Sequence, residues 1–166
     1  MKWIHLRRAA ALGAAAGLLR CSAPTPVDPQ PAGSLLSPSG LLTCSPLPAD
    51  SATQILGPDG GTLFVGTYQL TIPAGALTES VSITAIAPTG TVNAVRFRPE
   101  GLTFQSPASL SMSYANCDLL GSLLPKRIAY TSDALSIVEY LPSVDDLLAQ
   151  RVTGQLQHFS TYAIAW

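Results

Sequence analysis

The sequence predicts an all-β protein, an antiparallel β-sandwich or barrel, behind an export signal and a proline-rich segment. Charged residues make up only 11% of the chain, which excludes a coiled coil or a charged disordered chain. Glycine and proline together contribute 27 of the 166 residues (13 plus 14), which is typical of turn-rich β structure. From residue 51 onward, short segments alternate apolar and polar side chains between turn residues, as half-buried strands do.

Residues 1–20 are predicted to be a signal peptide. Lys2, Arg7 and Arg8 precede the apolar segment 9–19, which has eleven residues. That length is too short to cross a bilayer and suits the apolar core of a secretion signal. Four of the nine basic residues lie within residues 1–20, and all ten acidic residues follow them. Residues 21–166 therefore carry five basic and ten acidic residues, a net charge of −5. A nucleic-acid partner is therefore not expected.

Cys21 ends a stretch, Leu18-Leu19-Arg20-Cys21, that resembles a bacterial lipobox. The residue before the cysteine departs from that pattern, because Arg20 stands where a small residue is usual. We expect lipid attached to Cys21 to anchor the protein to a membrane of the bacterial cell envelope, at the outer membrane or in the periplasm. The alternative is plain secretion, with Cys21 removed or left as a free thiol.

Residues 21–50 are predicted to be a tether that holds the domain at 51–166 away from the anchor. Positions 22–50 contain seven prolines, no aromatic residue and two charges, a composition that favours an extended polyproline chain over a packed core. Leu35-Leu36 and Leu41-Leu42 are expected to dock the end of this tether on the domain, beside Cys44.

Cys44 and Cys117 are predicted to form a disulfide, because export places them in an oxidising compartment. The alternative is two unpaired thiols. No Cys-x-x-Cys spacing occurs, and a single histidine follows the signal segment, so neither a metal site nor a cofactor is predicted.

The predicted domain begins with turn chemistry at Gly57-Pro58-Asp59-Gly60-Gly61. Alternating segments predict strands at 68–72, 81–87, 95–98, 108–114, 128–130 and 136–141, with one or two more between 152 and 166. Pro73 stops the first of these strands. A short helix is predicted at 144–150, with Ser143 as its N-cap and Asp145-Asp146 in its first turn.

Two pairs of charged residues are weak candidates for ligand binding. Arg96 and Arg98 share one strand face and could contact a small anion, although charges on an outward face more often only meet solvent. Asp145 and Asp146 lack the further oxygen ligands that calcium requires, and the predicted helix N-terminus explains them.

The stretch His158-Phe159-Ser160 is the one reactive element that the sequence suggests. In an extended strand, residues 158 and 160 face the same side about 7 Å apart, so the imidazole could activate the Ser160 hydroxyl. That hydroxyl would attack the carbonyl of Phe159 and cut the chain's own backbone, provided that the fold twists the peptide. The alternative is a final strand, continuous or bent at the motif, in which these residues only pack.

Four segments resemble the ZU-five domain, which is named for zonula-occludens proteins and netrin receptors and also occurs in ankyrins. They are GPDGGTL (57–63), LTIPAGAL (70–77), RPEGLTFQSPASLSMSY (98–114) and HFSTYAIA (158–165), so the resemblance covers about residues 54–166. It implies a β-sandwich that serves as an interaction or scaffold module without catalysis. It also implies that His158, Phe159 and Ser160 match the motif at which some family members in death-domain scaffold proteins cleave themselves between Phe and Ser.

The sequence thus predicts a non-catalytic interaction or scaffold module of the bacterial envelope with an unidentified protein partner. Self-cleavage at the Phe159–Ser160 bond is one alternative. Only Ser160 to Trp166 would follow such a cut, and this strand is expected to stay bound. Binding of an extracellular glycan or small ligand is another alternative. Aromatic residues could form such a site, but most of them, Tyr68 and Tyr114 included, occupy alternating strand positions that are expected to face the core.

Overall fold

A computed structural model describes residues 40–119 and 124–166, and it is built from eleven β-strands. They are β1 (Asp50–Leu56), β2 (Gly61–Val65), β3 (Tyr68–Ile72), β4 (Val81–Ala87), β5 (Ala94–Arg98), β6 (Thr103–Ser113), β7 (Arg127–Thr131), β8 (Ile137–Tyr140), β9 (Ser143–Asp146), β10 (Arg151–His158) and β11 (Thr161–Ala165). The predicted signal peptide, Cys21 and the tether up to residue 39, with Leu35 and Leu36, lie outside the described residues. Within the described ranges, no helix is long and apolar enough to cross a membrane.

The strands form two antiparallel sheets packed face to face, which confirms the predicted all-β sandwich. The first sheet has the order β1-β4-β5-β11-β7-β8, and the second has the order β2-β3-β6-β10-β9. The predicted strands at 68–72 and 81–87 coincide with β3 and β4. The segment at 152–166, for which one or two strands were predicted, forms two, and they belong to different sheets.

The core between the sheets is built by the alternation visible in the sequence. In β4, Ile83 and Ala85 are fully buried while Ser82 is exposed, as the two-residue period of a strand requires. Tyr68 and Tyr114 are also buried, as their parity predicted. The rings of these two tyrosines therefore lie between the sheets and are not displayed on an outward sheet face.

Strand β11 lies in the middle of the first sheet, between β5 and β7. Tyr162 is paired with Val95 on one side and with Tyr130 on the other. Every residue of β11 is buried. This strand contributes inward side chains to the main core and outward alanines to a smaller apolar cluster on the other face of the sheet.

Residues 40–49 run along the sandwich and are fixed to it at several points. Leu41 pairs with Ala165, and the Leu42 amide donates to the Ile164 carbonyl at 3.0 Å. Both leucines are buried. The predicted disulfide is present, since Cys44 and Cys117 are bonded across an antiparallel bridge. This part of the predicted tether therefore packs on the domain.

The predicted turn at Gly57–Gly61 closes with a hydrogen bond from the Gly60 amide to the Gly57 carbonyl. Gly60 has a φ of +73°, and a Cβ there would lie 2.3 Å from the Ile72 carbonyl oxygen. Only glycine meets both conditions at this position.

The predicted helix at 144–150 is wrong. Ser143–Asp146 forms strand β9, which pairs with β10, and a turn follows it. The Asp145 carboxylate accepts hydrogen bonds from the Tyr114 hydroxyl at 2.6 Å and from the Lys126 amide at 2.8 Å. A seven-residue helix is marginal by itself, and these tertiary bonds favour the strand.

Candidate functional site

The stretch His158-Phe159-Ser160 lies at a bend between the two sheets. Strand β10 ends at His158 in the second sheet, and β11 begins at Thr161 in the first. The bend breaks the side-chain alternation, so Phe159 is fully buried while His158 is only partly buried. The structure thus selects the bent arrangement over a single continuous strand.

Phe159 packs at the centre of an aromatic cluster in the core. Its ring stacks on Phe97, with centroids 5.0 Å apart, and meets the edge of Phe104 at the same distance. Aromatic pairs with these separations stabilise a core beyond the area they bury. Phe159, the middle residue of the motif, therefore stabilises the core by packing.

Backbone hydrogen bonds hold the chain on both sides of the Phe159–Ser160 peptide bond. The Phe159 amide donates to the Leu102 carbonyl at 2.7 Å, and the Gly101 amide donates to the Phe159 carbonyl at 2.9 Å. The Phe97 amide donates to the Ser160 carbonyl at 3.0 Å. Neither Phe159 nor Ser160 is among the described non-glycine residues with positive φ.

The His158 ring is placed by aromatic contacts rather than by the serine. Its centroid lies 5.1 Å from that of Tyr130 in an edge-on arrangement. Its Nδ1 lies 3.4 Å from the Phe159 carbonyl oxygen. Across the described chain, no hydrogen bond joins the imidazole to the Ser160 hydroxyl. The Tyr162 hydroxyl donates to the His158 carbonyl and fixes the backbone of the bend.

Besides packing, the contacts of the bend could stabilise an oxyanion at the Phe159 carbonyl. The Phe159 carbonyl oxygen would become the oxyanion if Ser160 attacked its carbon, and the Gly101 amide already donates to it. The imidazole, however, contacts that oxygen and not the attacking hydroxyl. The structure brings the three predicted residues together without forming a His–Ser diad.

The arginine pair is neutralised by nearby acids. Arg96 forms an ion pair with Asp133 at 2.9 Å and also donates from Nε to the Thr161 hydroxyl at 3.2 Å. Arg98 forms an ion pair with Glu100. Both guanidinium groups therefore already have a carboxylate partner, which weakens the anion-site hypothesis.

An exposed apolar edge is the feature that sequence analysis missed. We name residues 137–148 the β8–β9 edge, because β8 and β9 are the last strands of their sheets on this side. Exposed apolar side chains occur along it at Val138, Val144, Leu147 and Leu148. The predicted helix concealed this edge, because it would have turned one side of the segment 144–150 towards the domain.

Comparison with known proteins adds no relative. No family model matches the chain, and no curated protein is significantly similar to it. In the part of the chain that the structure describes, no three histidine, cysteine, aspartate or glutamate side chains cluster as metal ligands.

Proposed function

We propose that this protein is a non-catalytic interaction module of the cell envelope that binds a protein partner through its β8–β9 edge. The observation that carries the proposal is the exposure of large apolar side chains on that edge. Val144 is 75% exposed, Leu147 65% and Leu148 99%. Large apolar side chains concentrated on an exposed margin are a feature of protein interaction sites.

The backbone of the same edge supports the proposal. Strand β9 pairs with β10 on one side only, and β8 pairs with β7 on one side only. An edge strand presents unpaired amide and carbonyl groups to which an extended segment of another protein can add as a further strand. The side chain of Val144 would contact apolar residues of a segment added to β9, and that of Val138 would contact those of a segment added to β8.

Export and lipid anchoring at Cys21 form the second part of the proposal. The Cys44–Cys117 disulfide supports it, since structural disulfides persist in oxidising compartments. The sequence resemblance to ZU-five domains supports the scaffold role, because that family serves mainly in protein contact. Incorporation of labelled lipid that is abolished by Cys21→Ala is the expected result. Labelling that survives the substitution would contradict the anchor.

The binding proposal is tested by comparing charged variants in quantitative co-purification from the source cells. We expect the double variant Leu147→Asp/Leu148→Asp to lose the partner that the unaltered protein retains. Phe64→Asp is the matched control, because Phe64 is 62% exposed on strand β2 at the other side of the second sheet. Equal recovery of every bound protein with both variants would contradict the proposal.

Self-cleavage at Phe159–Ser160 is the second candidate function. It is favoured by the Gly101 amide, which donates to the Phe159 carbonyl oxygen at 2.9 Å, where the negative charge would develop. Ser160 Oγ would bond to the Phe159 carbonyl carbon, the carbon–nitrogen bond would break, and the Ser160 nitrogen would take up the hydroxyl proton. Water would then hydrolyse the ester, leaving a carboxylate on Phe159 and restoring the Ser160 hydroxyl.

Cleavage would leave the two parts associated, because β11 is bonded on both sides within the first sheet. Intact mass under denaturing conditions therefore decides between the two functions. The non-catalytic proposal predicts a chain that keeps residues 160–166 during prolonged incubation. A chain that loses this segment, but keeps it in the Ser160→Ala variant, would establish self-cleavage.

A further inference from the structure

A cavity of about 370 Å³ opens at one end of the sandwich, between the sheets. The end of β4, the start of β1 and the β2–β3 turn surround it, together with residues 47–49. It lies at the Asn93 end of β5, whereas the Phe159–Ser160 bond lies beside Phe97 near the other end of that strand. The cavity is therefore separate from the His-Phe-Ser bend. Its volume is in the range of small-molecule sites.

Tyr68 gives this cavity an unpaired polar group. The residue is only 4% exposed, and its hydroxyl has no hydrogen-bond partner among the described residues. The other buried tyrosines differ, since Tyr114 donates to Asp145 and Tyr162 donates to the His158 carbonyl.

The Tyr68 hydroxyl keeps access to the cavity. No fully buried side-chain oxygen or nitrogen in the described residues lacks a partner. The unpaired hydroxyl of Tyr68 must therefore keep contact with solvent, and the cavity that Tyr68 lines provides it. Burial raises the pKa of Tyr68 to about 12, so the hydroxyl stays protonated at neutral pH.

Asp50 is the single charged residue among the described residues that line the cavity. Its carboxylate is held over the β2–β3 turn, where Oδ2 accepts from the Gly66 amide at 2.6 Å and Oδ1 accepts from the Ser51 amide at 2.9 Å. Each carboxylate oxygen has a second lone pair available for a ligand. Within residues 40–119 and 124–166, no lysine, arginine or histidine lines the cavity to offset this charge.

Most of the remaining wall is apolar or already hydrogen-bonded. Leu47, Pro48 and Pro88 supply apolar surface. Asn93 is buried, and its Nδ2 donates to the Ser113 carbonyl at 3.0 Å and to Asn116 Oδ1 at 2.8 Å.

A second cavity, of about 430 Å³, lies on the outward face of the first sheet, and its described lining has no buried hydroxyl without a partner. Its charged residues, Arg96 and Asp133, are paired with each other. The cavity beside Tyr68 is therefore the better ligand site.

We propose that the cavity binds a small organic amine, with the ammonium group between the Asp50 carboxylate and the Tyr68 hydroxyl and the apolar body against Leu47 and Pro88. An ammonium group donates hydrogen bonds and accepts none, which suits an acceptor carboxylate and a hydroxyl that can accept. An anion would meet Asp50 without a compensating cation among the described lining residues. This site goes beyond the proposed protein-binding function and does not depend on it.

The test compares three probes that share one ring and differ in charge: benzylamine, benzyl alcohol and benzoate. Each is titrated into the isotope-labelled full-length chain while backbone amide resonances are recorded. We expect benzylamine to give saturable shifts at Gly66, Thr67 and Gly90, which line the cavity. Benzyl alcohol should bind more weakly, and benzoate should give no saturable shift there. No saturable shift with benzylamine, or equal binding of benzoate, would overturn the proposal.

Two variants locate the ammonium group. Tyr68→Phe removes only the hydroxyl and should weaken benzylamine about five-fold, as the loss of one hydrogen bond does. Asp50→Asn should weaken it about five- to ten-fold, because the lost bond is charge-assisted. Tyr140→Phe is the matched control on β8, outside the cavity, and should bind like the unaltered chain. Unchanged affinity in both cavity variants would overturn the assignment.

Discussion

Breaking the Cys44–Cys117 disulfide is expected to lower the free energy of unfolding by about 4 kcal/mol. The bond closes a loop with a sequence separation of 73 residues. In the chain-entropy model, a loop of that length restricts the unfolded chain by roughly 4 kcal/mol at 25 °C. For a domain of this size the corresponding fall in melting temperature is on the order of 15 °C.

The folded state should survive the loss of the bond. The Cys44 amide donates to the Thr91 carbonyl at 2.8 Å, and the Asp118 amide donates to the Thr43 carbonyl at 2.9 Å. These bonds hold the segment in place without the sulfur bridge. The destabilisation should therefore come mainly from the unfolded chain, which gains freedom when the loop opens.

Urea unfolding of the unaltered protein and of the Cys44→Ser/Cys117→Ser variant measures this difference. The unaltered protein under reducing conditions is the control and should behave like the variant. The slope of free energy against urea should be larger without the bond, because the unfolded chain exposes more surface. A difference in unfolding free energy below about 1 kcal/mol would refute the entropic account.

Three further predictions concern the core and the surface. Phe159→Ala should lower the free energy of unfolding by about 3–5 kcal/mol, because it removes the ring that stacks on Phe97. Phe64→Ala, at an exposed position, should lower it by less than about 1 kcal/mol. Urea unfolding measures both. Tyr68 keeps its proton to a pKa of about 12 when folded but releases it near its ordinary value of 10.0 when unfolded, so stability should fall by up to about 1.4 kcal/mol per pH unit between those values. Tyr68→Phe should remove that share of the slope, and an unchanged slope would contradict it. Leu148→Asp should leave the melting temperature within about 2 °C, because its side chain is 99% exposed; a larger fall would show that it packs.

The sequence alone was sufficient to predict the strands in which buried and exposed side chains alternate. The segment 81–87 repeats an apolar residue at every second position, and it forms β4 over those residues. This two-residue period indicates that one face of the strand is buried, but it does not indicate which other strands pair with it. The pairing of β11 with both β5 and β7 joins distant parts of the chain, so it could not be obtained from local pattern.

The errors arose where a distant residue decides the local structure. The carboxylate of Asp145 looks like a helix-start charge until Tyr114 and Lys126 are seen to donate to it. The sequence also left open whether the final strand is continuous or bent at His158-Phe159-Ser160, and the end of β10 at His158 decides for the bend. The exposed edge and the cavity beside Tyr68 both depend on which strands lie at the margins of the sheets.

Site-specific photo-crosslinking in the source cells tests the central claim most directly. A photoreactive residue is placed at Leu148 on the β8–β9 edge or at Phe64 on β2, both exposed. Interaction through the β8–β9 edge predicts an adduct with a distinct protein at position 148, none of that mass at position 64, and loss of the adduct when Val144→Asp is added. Absence of an adduct at position 148, or the same adduct at both positions, would contradict it.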